Sequence, residues 1–215
     1  MNQPSRSADW PYPRWIAHRG AGKLAPENTL AAFRLGAARG YRMFECDVKL
    51  SADGVPFLLH DTTLARTTNA GNAWPAHASH TAGEHPWGAL AQLDAGSWHS
   101  RRYAGEPLAT LDAVAAYCLR NAYALNIEIK PTPGSERRTG EVVAAHAARL
   151  WRDQAVPPLL TSFQPEALQG ALASAPAQAQ AWPAKPVTVV VGYRPGGDTD
   201  AIARLFAEKL SQRLK

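Results

Sequence analysis

The stretch MFECDVKLSADGVPFLLHD, residues 43–61, decides the fold of this chain. Residues 43–50 and 55–59 are apolar-rich runs of strand length, and the Ser-Ala-Asp-Gly segment 51–54 between them has the turn signal Asp-Gly at its tip. A connection this short cannot carry a helical crossover, so the two strands are expected to run antiparallel. The sequence therefore predicts a β-hairpin.

This hairpin is expected to bring polar side chains together. Its register places Leu50 near Val55 and, further from the turn, Glu45 near His60. Glu45 and Asp47 are two residues apart, so their side chains share one strand face. We therefore expect both carboxylates to meet the imidazole of His60 through backbone geometry alone.

Strands and helices alternate along the rest of the chain. The further predicted elements are a strand at 15–17, a helix from 27–29 to Gly40, a helix from Thr110 to about Asn121, a strand at 123–129, a helix at 136–154, a strand at 159–162 and a helix at 166–173. Asn28 or Thr29 can cap the first of these helices, and Gly40 can end it. The alternation predicts an α/β fold with a mainly parallel sheet or barrel.

Residues 62–109 form a long irregular stretch rich in Gly, Pro, Trp and His. Connections of this length are usually functional or form a small inserted subdomain. Short pieces within it, such as 87–93, can form helical turns. We therefore expect an insertion between the hairpin and the next regular helix.

The composition excludes several classes of function. The chain has 215 residues and a net charge of +5, without the basic run or aromatic-interleaved basic patch of a nucleic-acid-binding protein. Its apolar runs are too short to span a membrane, and residues 1–12 lack the apolar core of a secretory signal. We expect a cytoplasmic protein with one sizeable core, without nucleic acid or membrane insertion. The mildly positive charge suits a small anionic substrate but does not require one.

Glu45 and Asp47 predict a site for a divalent cation. Two carboxylates on one strand face repel each other unless a cation lies between them, and Mg²⁺ or Ca²⁺ prefers such oxygen ligands. An exposed strand face is the alternative. The flanking Phe44 and Val48 indicate a partly buried strand, which makes that alternative less favourable.

Two histidines stand next to predicted strand ends. His18 can exchange a proton with a phosphate oxygen, Arg19 can bind phosphate in a bidentate way, and Gly20 lets the backbone approach a ligand. His60 would be the second proton carrier that displacement at phosphorus needs. A turn with a structural histidine and a plain loop histidine are the alternatives for His18 and His60.

Glu128 and Lys130 share one face of the strand at 123–129. They could form a plain ion pair, or supply a third metal carboxylate and a cation for the phosphate. The other histidines of the insertion lack a strand context and are expected to be exposed or packed in loops; they are His77, His80, His85 and His99. Cys46 and Cys118 are expected to be small buried hydrophobic residues.

The order and spacing of these segments resemble those of the glycerophosphodiester phosphodiesterases, of the bacterial cytoplasmic type, over residues 14 to about 172. The motifs that carry the resemblance are His18-Arg19-Gly20, Pro26-Glu27-Asn28-Thr29, Glu45-x-Asp47, Asp53-Gly54, His60-Asp61, Arg66-Thr67-Thr68-Asn69, Leu93-Asp94-Ala95-Gly96-Ser97-Trp98, Glu128-x-Lys130 and Ser162-Phe163.

The resemblance implies a TIM-type (β/α) barrel with its site at the strand C-termini. It implies hydrolysis of glycerophosphodiesters to sn-glycerol 3-phosphate and an alcohol, dependent on a divalent cation, Mg²⁺ or Ca²⁺. The implied roles are metal ligands for Glu45, Asp47 and Glu128, general acid and base for His18 and His60, and phosphate contacts for Arg19 and Lys130. The insertion at 62–109 would help to hold the glycerol end.

The C-terminal part departs from this pattern. A (β/α)₈ barrel usually takes about 250 residues, and the resemblance ends near Ala173, without the late strand carrying Trp and Asn. This part contains Ala179-Gln180-Ala181-Trp182-Pro183-Ala184-Lys185-Pro186-Val187, Pro195-Gly196-Gly197-x-x-Asp200 and Ala203-Arg204. On these residues, 178–215 instead resembles the start of periplasmic solute receptors of the tripartite tricarboxylate transporter type. We therefore expect a barrel of residues 1–175, incomplete or irregularly closed, joined to a linker and one foreign βα unit at 176–215.

This departure leaves two alternatives to the enzyme. One is a barrel fragment without turnover, and the other is a solute-binding protein, suggested by the tail alone. Open barrel edges would also favour self-association of the chain.

Overall fold

In the computed structural model of the chain, the residues described are 11–174. They belong to the first of two compact units, Met1–Pro176 and Ala177–Lys215. The linker and βα unit predicted at 176–215 lie outside the described residues. The division of the chain at residue 175 stays a prediction.

A four-stranded sheet forms the framework. Its strands are β1 (Met43–Leu50), β2 (Pro56–Leu58), β3 (Ala124–Ile129) and β4 (Leu159–Thr161), in the order β2-β1-β3-β4. β1 and β2 pair antiparallel as the predicted hairpin, whereas β3 is parallel to both β1 and β4. The predicted α/β organisation with a mainly parallel sheet is confirmed.

Six helices accompany the sheet in the described part of the chain. They are α1 (Leu30–Ala38), α2 (Ala70–Ala73), α3 (Trp87–Leu90), α4 (Leu111–Arg120), α5 (Glu136–Leu150) and α6 (Pro165–Ser174). Three short 3-10 turns lie at Gly22–Leu24, Ala82–Glu84 and Arg101–Tyr103. None of the helices within residues 11–174 is long and apolar enough to cross a membrane.

The helix caps follow the sequence signals. The Thr29 hydroxyl accepts a hydrogen bond from the Ala32 amide at 3.3 Å, so Thr29 rather than Asn28 caps α1. Thr110 caps α4 by the same bond, from the Ala113 amide at 3.1 Å. Gly40 follows α1 with φ +92°, the left-handed conformation that glycine adopts without strain.

The hairpin register differs from the prediction by one residue. Leu50 pairs with Pro56, not with Val55. The Ser51 amide donates to the Val55 carbonyl at 3.0 Å, so residues 51–55 all belong to the turn. The ladder continues as far as Val48 and its partner Leu58, so Glu45 lies beyond the paired residues.

The strand predicted at 15–17 is reduced to a single parallel bridge. Ala17 donates to the Met43 carbonyl at 2.9 Å and accepts from the Glu45 amide at 3.0 Å. Trp15 is 71% exposed and Ile16 is also exposed, because neither pairs with β1. Ala17 still places His18 at the edge of β1.

One face of the sheet is apolar and packs against the helices, and the other carries polar side chains. In β3, Leu125, Ile127 and Ile129 are buried, whereas the alternate residues are half-buried. The buried side chains pack with those of the helices, as in the stack of Phe33 from α1 on Phe44 from β1, with 5.0 Å between ring centroids. The opposite face is left free to carry polar groups.

The helices α5 and α6 pack closely through glycines. A Cβ atom at Gly140 would lie 1.9 Å from the Ala167 carbonyl oxygen, and one at Gly170 would lie 2.1 Å from that of Arg137. Both distances are far below van der Waals contact, so only glycine lets these two backbones approach so closely.

The insertion at 62–109 forms a small subdomain with its own apolar cluster. The predicted helical turn at 87–93 is present as α3. The buried members of the cluster are Phe57, Leu59, Leu64, Ala70, Ala82, Leu90, Leu93, Ala95 and Leu108. Because Phe57 and Leu59 come from the hairpin, the cluster attaches the insertion to the sheet.

Candidate active site

Three carboxylates meet on the polar face of the sheet. Glu45 and Asp47 lie two residues apart on β1, so their side chains share one face. The parallel register places Asp47 opposite Glu128 of β3. One oxygen from each carboxylate lies within 4.8 Å of the others. Glu45 and Asp47 are buried, at 7% and 1% exposure. The backbone thus builds the cluster that the sequence predicts.

The electrostatics of this cluster favour an added cation. Burial, together with the negative charges of Asp47 and Glu128, raises the pKa of Glu45 to about 8. The Glu45 Oε1 atom is buried and has no hydrogen-bond partner. A divalent cation would satisfy this oxygen and remove the repulsion, and hard carboxylate oxygens suit Mg²⁺ or Ca²⁺. The donor set therefore fits the predicted metal.

Two basic residues flank the carboxylates. The Lys130 ammonium lies 2.7 Å from Glu128 Oε1 and 3.6 Å from Asp47 Oδ1. Arg19 Nε lies 3.2 Å from Asp47 Oδ2, and the Arg19 amide donates to Glu45 Oε2 at 2.9 Å. Arg19 adopts φ +50°, a conformation that is costly for a residue with a side chain. Two positive charges therefore stand beside the site where an anionic substrate would meet a cation.

Asn28 holds Asp47 in place. Its side-chain amide donates to Asp47 Oδ2 at 2.8 Å, and its Oδ1 accepts from the Asp47 amide at 3.1 Å. Asn28 is buried and has φ +60°. From the sequence, Asn28 had a possible role as helix cap and a place in a family motif, but no predicted contact with the carboxylates. The tolerance of asparagine for positive φ was the available signal.

The two candidate catalytic histidines lie on different loops. His18 Nε2 is 3.9 Å from Glu45 Oε2. Burial, and the positive charge of Arg19, lower the pKa of His18. His60 follows Leu59, whose amide donates to the Asp47 carbonyl at 3.1 Å. The hairpin therefore places the backbone next to His60 beside Asp47, and the described ion pair of the His60 side chain is with Asp61 rather than with Glu45 or Asp47.

His60 is held by its neighbour in the chain. His60 Nδ1 lies 2.7 Å from Asp61 Oδ1. Two hydrogen bonds from Arg66 hold the pKa of Asp61 far below its usual range, and the bond from His60 acts in the same direction. An ionised carboxylate can only accept, so His60 Nδ1 must carry the proton. This leaves Nε2 of a neutral His60 as the nitrogen that can take up a proton.

Lys49 is a further residue on this face that the sequence did not single out. It is 1% exposed, and its ammonium donates to the Lys130 carbonyl at 2.9 Å. Burial, with the nearby Lys130 charge, lowers the pKa of Lys49 to about 8. The alternation of side chains along β1 already places Lys49 on the face of Glu45 and Asp47, and this was the available signal.

The other histidines and the cysteines lie as expected. His85 packs on Trp74, with 4.4 Å between ring centroids, and His99 bonds to the Lys23 carbonyl at 3.0 Å. Cys46 and Cys118 are buried in the apolar core, which raises the pKa of both thiols.

Comparison with known proteins gives a consistent result. A sequence model of the "Glycerophosphoryl diester phosphodiesterase family" matches residues 18–212. Human "Glycerophosphoinositol inositolphosphodiesterase GDPD2" is 41% identical over 131 residues, which are 55% of this chain and 24% of that protein. The chain therefore spans about a quarter of the length of this curated relative.

Two solved structures are similar to the chain. One is a phosphodiesterase of Oleispira antarctica in complex with the product sn-glycerol-3-phosphate, at 33% identity and TM-score 0.66, covering 91% of this chain and 72% of that one. The other is a glycerophosphodiester phosphodiesterase of Agrobacterium tumefaciens, at 34% identity and TM-score 0.60, covering 74% and 62%.

These matches bear on two expectations. The predicted TIM-type barrel, incomplete or irregularly closed, is confirmed, since the described strands form a partial, open sheet of that architecture. The family match extends to residue 212 and so includes most of the segment 178–215. That segment lies outside the described residues, and its resemblance to a solute receptor stays a prediction.

Proposed function

Because the chain belongs to the glycerophosphoryl diester phosphodiesterase family, we propose that it hydrolyses glycerophosphodiesters to sn-glycerol 3-phosphate and an alcohol. The observation that carries the proposal is the buried carboxylate cluster with its unpartnered Glu45 oxygen, flanked by Arg19, Lys130 and His18. The packing of a core does not require these charged groups. A phosphodiester and a divalent cation bound together would neutralise the net charge of the three carboxylates and two basic side chains.

Glu45, Asp47 and Glu128 would hold the cation, Mg²⁺ or Ca²⁺. When bound, the cation supplies a Lewis acid that withdraws negative charge from a phosphate oxygen. Asn28 keeps the Asp47 carboxylate oriented through its two hydrogen bonds. The rigid strands β1 and β3 fix the spacing of the three ligands, so little reorganisation is needed when the cation enters.

Arg19 and Lys130 would bind the phosphate. A phosphodiester anion resists attack by an oxygen nucleophile through charge repulsion, and two fixed cations lower that repulsion. Because charge builds up on the phosphate oxygens in the transition state, these cations stabilise it more than the ground state. Arg19 is pre-oriented by its bond to Glu27 at 2.8 Å.

His18 and His60 would carry the protons. One accepts a proton from the attacking hydroxyl while the new P–O bond forms, and the other donates a proton to the leaving alkoxide as the old P–O bond breaks. The bond from His60 Nδ1 to Asp61 leaves its Nε2 free for this exchange. The attacking hydroxyl belongs to water, or to the glycerol of the substrate, in which case a cyclic phosphate forms first.

The test is release of sn-glycerol 3-phosphate from glycerophosphocholine and glycerophosphoethanolamine, followed with a coupled dehydrogenase. We expect release with Mg²⁺ or Ca²⁺, none with EDTA, and loss of at least about 100-fold in His18→Ala and His60→Ala. His77→Ala, in the insertion, is the matched control and should keep full activity. A folded chain that binds the cation and releases no product would favour the fragment without turnover.

A further inference from the structure

Arg66 joins two carboxylates from distant parts of the chain. Its guanidinium donates to Asp61 from Nε at 2.6 Å and from Nη2 at 2.9 Å. It also donates to Glu27 from Nη1 and Nη2, both at 2.8 Å. Four of its five N–H donors are therefore used in two bidentate pairs, a geometry that a lysine cannot reproduce.

These pairs belong to a longer network of side chains with alternating charge. Asp61 accepts from His60 at one end, and Glu27 accepts from Arg19 at the other. The network thus connects a candidate catalytic histidine with a candidate phosphate ligand. Arg66 belongs to the insertion, Glu27 precedes α1 and Asp61 follows β2, so three separate segments meet at one guanidinium.

We propose that Arg66 is a positioning residue that fixes the orientation and tautomer of His60 through Asp61. This inference rests on the proposed function. Without Arg66, the Asp61 carboxylate would keep its hydrogen bond with His60. It would lose the two hydrogen bonds from the guanidinium that fix the orientation of the carboxylate plane. The Asp61 carboxylate and the His60 ring could then turn together, so the hydrogen bond that keeps the proton on Nδ1 would be weakened. Arg19 keeps its ion pair with Glu27 and its contact with Asp47. The position of Arg19, the candidate phosphate ligand, should therefore change less than that of His60.

The first test is kinetic. We expect Arg66→Ala to lower kcat by roughly 10–100-fold, because a misplaced proton carrier slows the chemical step. KM should stay within about twofold, because His60 is not needed for ground-state binding. Arg66→Lys keeps the positive charge but loses both bidentate pairs, so its kcat should remain below that of wild type. Arg102→Ala removes an exposed arginine of the same insertion, stacked at 5.9 Å on Tyr103, and should behave as wild type.

Chemical rescue separates positioning from a folding defect. Free guanidinium, at concentrations far below the denaturing range, should restore part of kcat to Arg66→Ala and none to Arg66→Lys, whose side chain fills the site. The double variant Arg66→Ala/Asp61→Asn should be no slower than Asp61→Asn alone, since both changes break one chain of contacts. Additive losses would overturn the proposal.

A spectroscopic measurement makes the inference independent of turnover. ¹⁵N-detected NMR of metal-free protein should show neutral His60 protonated on Nδ1 in wild type, and a shift toward the Nε2–H tautomer in Arg66→Ala. If wild type has no turnover but the tautomer shifts, the proposed function fails and the positioning role stands. An unchanged tautomer together with wild-type kcat in Arg66→Ala would overturn the role of Arg66 itself.

Discussion

Replacing Glu45 with glutamine should stabilise the metal-free protein while it abolishes cation binding. Glu45 is buried, and its Oε1 has no hydrogen-bond partner. Glutamine has nearly the same shape, and its carbonyl oxygen can still accept the Arg19 amide bond that Glu45 Oε2 accepts at 2.9 Å. The change therefore removes the charge with little effect on packing.

The magnitude follows from the pKa of Glu45. Burial and the neighbouring carboxylates raise it from 4.5 to about 8, so the folded state favours the protonated form. The stabilising effect of that protonation is fully present below pH 4.5 and is lost as the pH rises through about 8. At pH 7.5 the carboxyl costs about 4 kcal/mol relative to the unfolded chain, at about 1.4 kcal/mol per unit of pH. Relief of this cost should raise Tm by about 10 °C.

The assay is thermal unfolding in EDTA and in excess Ca²⁺, from pH 5 to pH 9. In EDTA, Glu45→Gln should be more stable than wild type, by a margin that grows with pH. In Ca²⁺ at about one hundred times its dissociation constant, wild type should gain about 2.7 kcal/mol and the variant much less. Glu166→Gln, an exposed carboxylate of α6, is the matched control and should behave as wild type in both conditions.

Two results would refute this reasoning. One is a Glu45→Gln protein that is no more stable than wild type in EDTA at any pH, which would mean that the carboxylate is not under electrostatic strain. The other is an equal Ca²⁺-induced rise in Tm for both proteins, which would place the cation elsewhere.

Three further predictions concern the surroundings of the site and the packing of the helices. Burial lowers the pKa of Lys49 from 10.5 to about 8, so metal-free stability should rise between about pH 8 and 10.5, by about 3 kcal/mol in total. Lys49→Met should remove this rise in thermal unfolding, and an unchanged slope would show that the ammonium is not desolvated. Asn28→Ala should lower the unfolding free energy by about 3 kcal/mol in urea, because Asp47 loses two bonds and alanine is strained at positive φ. Asn28→Gly should recover about 1 kcal/mol of that loss, and equal losses would exclude backbone strain. Gly140→Ala should cost at least about 2 kcal/mol, because its Cβ would meet the Ala167 carbonyl at 1.9 Å; a wild-type Tm would show that α5 and α6 can separate freely.

The features that the sequence predicts well are those set by local periodicity. Alternation along β1 puts Glu45 and Asp47 on one face, and the Asp53-Gly54 turn makes the hairpin. Glu128 joins them because two parallel strands pair in a register that puts it opposite Asp47. The shared face of Glu45 and Asp47 and the hairpin turn can be read from local sequence, whereas the position of Glu128 depends on the pairing of β1 with β3.

The features that the sequence misses depend on contacts without a period. Nothing in the spacing of Glu27, Asp61 and Arg66 indicates that one guanidinium joins both carboxylates. The choice between Asn28 and Thr29 as helix cap was decided by Asp47, nineteen residues away, which engages the Asn28 side chain. The predicted hairpin register was wrong by one residue, because Val55 belongs to the turn and not to the paired strand.

The most direct test of the central claim is ³¹P NMR of glycerophosphocholine in a single sample of the purified chain. The phosphodiester signal should stay constant in EDTA, convert to the phosphomonoester signal once Mg²⁺ or Ca²⁺ exceeds the chelator, and stop converting when more EDTA is added. Conversion at an equal rate throughout would contradict a role for Glu45, Asp47 and Glu128 as metal ligands in catalysis. A constant signal with folded, cation-bound protein would contradict the phosphodiesterase activity itself.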